Sequence, residues 1–404
     1  MTVCVIGGGA SGMIASIFLA RGGKRVVLLE KNEKLGKKLY ITGKGRCNVT
    51  NDCNIDDFFA NVVHGEKFLR SSVYGFTPQD AISFFEGLGL PLQTERGNRV
   101  FPQSQKSSDV IKVLERELKR LGVTVRLNSE VKGIERADVG FKVVTQDAVL
   151  VCDKVVVATG GMSYPSTGST GDGYGFARKF GLKIVEPKQA LVPILTKQNV
   201  SCMQGLSLKN VNLTAYDENN RVIKQEFGEM LFTHKGVSGP IALSISSYIN
   251  RLSKVKLSLD LKPALDEKTL DARLLREFDE RKNQDVKNVS RALLPERLNM
   301  YVLNEAHIDE NKKVNVLTKE ERKRLVDAIK NLQFDVNGLS PFAEAIITAG
   351  GVDLKSLKPS CECRTVEGLY FVGETIDVDA LTGGFNLQIA YCTAVSAARG
   401  ILKK

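Results

Sequence analysis

Histidine is scarce, and no cysteine pair has the spacing of a metal or redox motif. Only three histidines occur in 404 residues: His64, His234 and His307. The eight cysteines are scattered, and the two close pairs, Cys47 with Cys53 and Cys361 with Cys363, are not C-x-x-C. Neither a zinc site of ordinary ligand spacing nor a thiol–disulfide mechanism is expected, and no metal is assigned. Long apolar runs are missing as well. None approaches the roughly 20 residues that span a bilayer. The first run, Val3 to Ile6, enters a glycine turn with no charged leader before it, so the expectation is a cytoplasmic protein without a membrane partner. No internal repeat or low-complexity tract is present. What remains is ordinary for a soluble globular chain, 43% hydrophobic and 25% charged, and its length suits about two to three domains.

Acidic residues are also in deficit. Fifty-seven Lys and Arg stand against 46 Asp and Glu, a net charge of +11. This favours nucleic acid, phosphates or other anionic partners without naming a function. Part of the excess is local: residues 31–46 carry Lys31, Lys34, Lys37, Lys38, Lys44 and Arg46 against Glu33 alone. Residues 188–345 hold 25 bases and 21 acids, a surplus of only four, which weakens any picture of that region as a dedicated RNA-binding module.

Residues 3–30 read VCVIGGGASGMIASIFLARGGKRVVLLE. A short apolar run, typical of a buried parallel strand, leads into Gly7, Gly9 and Gly12 in G-x-G-x-x-G spacing. A helical stretch, a Gly22-Gly23 stop and a second apolar run ending in Glu30 follow. Gly7 permits the tight turn, Gly9 lets the backbone approach a pyrophosphate, and Gly12 lets helix and strand pack closely. The phosphates then meet the free N–H groups of the helix start. Glu30 can accept from ribose hydroxyls and argues against a 2′-phosphate there. The pattern predicts dinucleotide binding but does not separate NAD from FAD. KVVVATGG at 154–161 reads as another strand of the same sheet. GLYFVGETIDVDALTGGFNLQIAYCTAVSAARG at 368–400 reads as a strand, a glycine turn and a final helix. The two-part arrangement resembles the FAD domain of glutathione-reductase-like flavoproteins, with Glu374 where aspartate is usual. A second G-x-G-x-x-G is absent, so no separate NAD(P)H domain is expected.

The segments EKNEKLGKKLYITGKGRCNVTN, ATGGMSYPSTGSTGDGYGFA, ALVPIL, GEMLFTHKGVSGPIALSIS, TAGGV and GLYFVGETIDVDALTGGFNLQIA together resemble the YhiN/BaiN-type bacterial flavoproteins, NAD(P)/FAD-dependent oxidoreductases. Two departures stand out. Lys44 replaces the middle glycine of the family's G-G-G-R-C-N loop, and CECRTVEG differs from the usual sequence before the late strand. The resemblance implies an FAD-dependent oxidoreductase with NAD(P)H as a transient co-substrate. It implies FAD contacts from Gly7, Gly9, Gly12, Glu30, Arg46, Cys47, Asn48, Gly373, Glu374, Gly384, Asn386, Leu387 and Gln388, and a backbone contact from Val131 to adenine. Ala10, Ser11, Lys31, Lys38, Thr42, Gly43, Thr159 and Gly160 complete the candidate cofactor set.

The expected fold is α/β: a discontinuous Rossmann-like FAD domain (1–187 plus 346–404) with a parallel sheet, interrupted by a β-rich subdomain (188–262) and a mostly helical one (263–345). In the insert, Asp217 to Asn220 signals a hairpin, and Thr318 with Glu321 signals a helix capping box. His234 and Lys235, in the loop FTHKGVSGP, and Lys44 are the candidates for catalysis; no acid or base is assigned. YITGKGRCNVTN at 40–51 is not a triphosphate loop, because Gly45 follows Lys44 where Ser or Thr is required. It reads instead as a flavin-facing loop. The substrate stays open between a small molecule and RNA. The activities to weigh are those the resemblance extends to, reduction of uridine in 23S ribosomal RNA and of a bile-acid-type enone, and beside them oxidation of a small amine such as aminoacetone and quinone reduction. A non-enzymatic RNA-binding or assembly factor is the contrasting class. The oligomeric state stays open.

Overall fold

The computed structural model describes residues 1–403. Contacts divide the chain into two units, residues 1–190 with 341–403 and residues 191–340.

The first unit is built on a five-stranded parallel sheet. Its order is Leu369–Phe371, Lys154–Val157, β1 (Thr2–Ile6), β2 (Arg25–Leu29) and Thr124–Arg126. β1 and β2 read as unbroken apolar runs because both faces of the sheet are covered, which leaves four of the five residues in each buried. Between them runs the helix α1 (Ala10–Arg21). Gly12, Met13, Ile14, Ala15, Ser16 and Ile17 are all buried in it, so no polar face is available to solvent along that stretch. It packs on the carboxyl-terminal helix Phe385–Leu402. That helix is equally apolar, yet no helix among the described residues is long and apolar enough to cross a membrane. A three-stranded antiparallel sheet, Val131–Arg136, Phe141–Thr145 and Val149–Cys152, is inserted before Lys154–Val157. A second small sheet pairs Thr50–Asn51 and Leu92–Glu95 with Arg99–Pro102. Ile184–Ala190 and Ile347–Val352 pair antiparallel where the chain leaves and re-enters this unit.

The second unit is a closed six-stranded barrel of Ile194–Thr196, Gly236–Ser238, Val222–Phe232, Ser207–Tyr216, Lys256–Asp260 and Leu332–Leu339. The hairpin at Asp217 is formed; its carboxylate accepts from the Asn219 and Arg221 amides. The helices Glu267–Glu280, Glu296–Glu305 and Lys319–Lys330 sit between the last two barrel strands in sequence, and Thr318 and Glu321 close the capping box. Leu332–Leu339 returns to the barrel after the helices and pairs with Lys256–Asp260 and Ile194–Thr196. The helical segment is therefore an excursion from the barrel and shares one apolar core with it, in which Leu270, Leu274, Val302 and Leu325 join Phe232, Leu257 and Phe334. Sequence patterning reads the helices as a separate subdomain because their apolar stripe does not reveal which surface it covers.

Candidate functional site

At the carboxyl ends of β1 and Lys154–Val157, glycine is required for steric reasons. Gly7 has φ +102°, and a Cβ there would lie 2.5 Å from the Ala158 carbonyl oxygen. A Cβ on Gly12 would lie 1.8 Å from the Gly7 oxygen. Gly9 differs: a Cβ there meets nothing within 4 Å. This open position is where the fingerprint brings backbone against a pyrophosphate. Gly9 is also the cap residue of α1, without a side-chain cap and without an acid in the first turn. The N–H groups of Ala10, Ser11 and Gly12 are left for an anionic ligand. Gly384 opens Phe385–Leu402 in the same uncapped way; its φ is +99° and a Cβ would strike the Thr50 carbonyl at 2.4 Å.

Glu30 is buried at the end of β2. Its Oε2 accepts from the Gly8 amide at 2.7 Å, and Oε1 accepts from the Asn32 amide and Nδ2 at 2.8 and 2.6 Å. The carboxylate thus shapes the glycine loop. Ser129 donates its amide to the Glu30 carbonyl at 2.8 Å, which places buried Val131 at the same edge.

The basic loop is mostly neutralised inside the unit. Lys31 pairs with Asp172 at 2.6 Å and bonds Thr170. Arg46 pairs with Glu95, bonds Gln105 and lies 4.1 Å over the Phe101 ring. Lys38 donates to Glu374 Oε2 and to Ser163 Oγ, both at 2.6 Å. Glu374 Oε1 accepts from Ser163 Oγ at 2.8 Å and from the Thr348 amide at 2.9 Å. Both oxygens of Glu374 are thus engaged by the protein, and it acts through the four segments it joins. Ser163 and Thr348 escaped the sequence reading; they sit inside two quoted segments, ATGGMSYPSTG and TAGGV, but nothing in those strings marks them as a network.

Thr42 donates to the Leu39 carbonyl at 2.7 Å. Gly43 and Lys44 are both left-handed, φ 57° and 58°, and Lys44 is exposed. Asn48 Oδ1 and Thr159 Oγ1 are buried without a hydrogen-bond partner, a cost a protein bears where a ligand completes the bond. Gly160 is left-handed at φ 74°. Gly373, at φ 65°, lies so close to Ser11 that a Cβ would be 2.7 Å from its hydroxyl. Asn386 grips the Ala380 amide and carbonyl at 3.0 and 2.7 Å. Gln388 is fully buried, accepting from Thr50 Oγ1 and donating to the Phe76 carbonyl, each at 2.8 Å. Asn386 thus holds the turn before the last helix, Gln388 ties that helix to Thr50 and Phe76, and Leu387 between them is half-buried. His234 and Lys235 belong to the second unit, exposed in the turn between Val222–Phe232 and Gly236–Ser238.

Cys47 is fully buried, and burial pushes its thiol up to about 12. It stays protonated near neutrality despite the basic sequence around it. Of the eight cysteines only Cys202 is exposed. Titration of the folded protein with a thiol reagent at pH 8 is therefore expected to modify one cysteine quickly, and Cys202→Ser to abolish that phase. Rapid labelling of Cys47 would contradict its burial.

A glycine loop open at Gly9, two uncapped helix starts and orphaned polar atoms at Asn48 and Thr159 fit a dinucleotide. The fold and the site define an FAD-dependent oxidoreductase of the Rossmann type. Within that class the chain belongs to the HI0933-like family: the family model described as the HI0933-like protein Rossmann domain matches residues 1–400. It is 31% identical over 405 residues to a ribosomal RNA dihydrouridine synthase of Escherichia coli (strain K12), covering 98% of this chain and 97% of that protein. It is 30% identical over 409 residues to a 3-dehydro-bile acid delta(4,6)-reductase of Clostridium scindens, covering 99% and 98%. Among solved structures, the 3-ketosteroid-delta4-(5alpha)-dehydrogenase from Rhodococcus jostii RHA1 shares the fold, with TM-score 0.51 at 14% identity over 98% of this chain and 96% of that one.

Proposed function

We propose that this protein reduces a ring carbon–carbon double bond, and that the ring is uridine in ribosomal RNA. Both curated relatives have names that denote saturation of such a bond, and they are about equally similar to this chain, so identity does not choose between them. Charge carries the choice: +11 suits a polyphosphate substrate far better than a bile acid with one carboxylate. In the balanced reaction, uridine gains a hydride on one carbon of its C5–C6 bond and a proton on the other, while NAD(P)H becomes NAD(P)⁺. Bound FAD supplies the hydride relay between the two. The chain's residues bind and orient. Gly9 and the α1 amides hold the pyrophosphate, Glu30 and the region of Val131 hold the adenosine end, and Asn48 and Thr159 complete bonds along the cofactor. The start of Phe385–Leu402 would offer the partial positive charge of its uncapped N–H groups to negative charge developing on a bound flavin. In the absence of a second nucleotide fingerprint, the nicotinamide visits the substrate's position in turn. The setting we propose is the cytoplasm.

The test is genetic and chemical. Deleting the gene is expected to remove a dihydrouridine from 23S RNA, and the purified protein with NADH or NADPH to restore it to RNA from the deletion strain. Unchanged dihydrouridine in the deletion strain would sink the RNA reading. Peroxide released from a small amine without NAD(P)H would instead favour an oxidase.

A further inference from the structure

We propose that Tyr40, with Lys34, Lys44 and Lys106 around it, is the patch on which an unpaired segment of RNA docks beside the cofactor loop. The inference rests on the RNA reading above and gives that substrate a surface.

The six bases of residues 31–46 are not equivalent once folded. Lys31, Lys37, Lys38 and Arg46 each have a carboxylate partner: Asp172, Glu33, Glu374 and Glu95. Lys34 and Lys44 are exposed and make no ion pair among the described residues. They flank the two exposed apolar side chains of this stretch, Tyr40 at 51% and Ile41 at 39% exposure. The Lys34 ammonium lies 5.6 Å over the Tyr40 ring. Ser107 Oγ donates to the Tyr40 carbonyl at 2.6 Å, which joins the Tyr40 backbone to the residue after exposed Lys106, another lysine without an ion pair among the described residues. Immediately after Ile41 the left-handed pair Gly43 and Lys44 turns the chain into the Arg46–Asn48 loop.

An isolated exposed tyrosine is unremarkable on a protein surface. Here a half-exposed ring is combined with three exposed lysines that form no ion pair among the described residues. That combination matches single-stranded nucleic acid: a base stacks on the ring, and phosphates on either side meet the cations. A paired helix cannot offer a free base face, and a ligand with a single carboxylate leaves two of the three lysines unmatched. The patch therefore selects an unpaired segment and delivers its neighbouring nucleotides to the cofactor loop.

The experiment measures fluorescence anisotropy of a labelled, uridine-containing single-stranded RNA with the FAD-loaded protein across a salt series. Tyr40→Ala is expected to weaken binding about tenfold, the effect of losing one stacked base, and Tyr40→Phe to retain it. The variant Lys34→Gln/Lys44→Gln/Lys106→Gln is expected to lower the slope of log affinity against log salt by about 2, at roughly 0.7 per phosphate contact. Flavin absorbance of each variant reports that it is folded. If the natural protein binds RNA and both variants bind it equally well with the same slope, the patch is overturned while the RNA reading stands. If the natural protein binds no RNA, both fall together.

Discussion

Gly9→Ala is expected to leave the flavin-free protein slightly more stable and to remove most of its capacity for FAD. Gly9 has φ −81° and ψ −167°, a conformation alanine adopts freely. A Cβ there touches nothing within 4 Å. Restricting the unfolded chain at such a site stabilises by about 0.4–1 kcal/mol. On the proposed site, however, the methyl group would project into the space of the pyrophosphate, beside amides that would bind it only at close approach. Loss of two or three such charge-assisted bonds, at roughly 1.5–3 kcal/mol each, weakens FAD by about a hundredfold or more. Gly12→Ala is the matched contrast. Its Cβ would overlap the Gly7 oxygen at 1.8 Å, so the fold itself must yield, and the flavin-free protein should lose several kcal/mol. Urea denaturation of both apoproteins, with FAD titration followed by flavin fluorescence, separates the two effects. An apo Gly9→Ala protein much less stable than the natural chain, or one that binds FAD normally, would refute the assignment of that space.

The difference between these glycines marks how far sequence can be read. Spacing alone marks Gly7 and Gly12 as the tight turn and the close helix–strand approach, because both follow from local backbone geometry. The parallel sheet is legible for the same reason: β1 and β2 are unbroken apolar runs joined by a glycine turn. Less local features are not. The barrel closes through Leu332–Leu339, a strand that follows the helical excursion, and no periodicity reports which distant strand it will pair with. Charge shows the same limit. Six bases in sixteen residues look alike as letters, yet four are paired by Asp172, Glu33, Glu374 and Glu95, three of which are distant in sequence. Only folding separates structural cations from exposed ones. Cys47 shows the same limit: its sequence neighbours are basic, but burial, which only the fold supplies, decides the thiol and raises it.

Glu374 carries the other large effect. Its carboxylate accepts from Lys38, Ser163 and the Thr348 amide, and Thr348 Oγ1 accepts from the Met162 and Ser163 amides at 2.8 and 3.0 Å. One side chain thus ties together the basic loop, the turn after Lys154–Val157, the strand Ile347–Val352 and the turn that follows Leu369–Phe371. Ser163 and Thr348 are fully buried, so removing their acceptor strands donors away from water, at about 1–3 kcal/mol each. Glu374→Ala should therefore cost about 3 kcal/mol of stability and lower FAD affinity with it, since the same segments carry Thr159 and Gly373. Glu374→Gln keeps an acceptor for Ser163 and Thr348 and loses the negative charge that pairs with Lys38. That pair is about one-fifth exposed, with side chains at 23% and 21%, so the loss should be nearer 1 kcal/mol. Lys38→Met adds a second side of the cycle, and the double variant Lys38→Met/Glu374→Gln should cost less than the sum of the two. Strict additivity in urea denaturation would show that the pair is incidental. A stable Glu374→Ala protein with normal flavin content would show that the four segments hold their places without it.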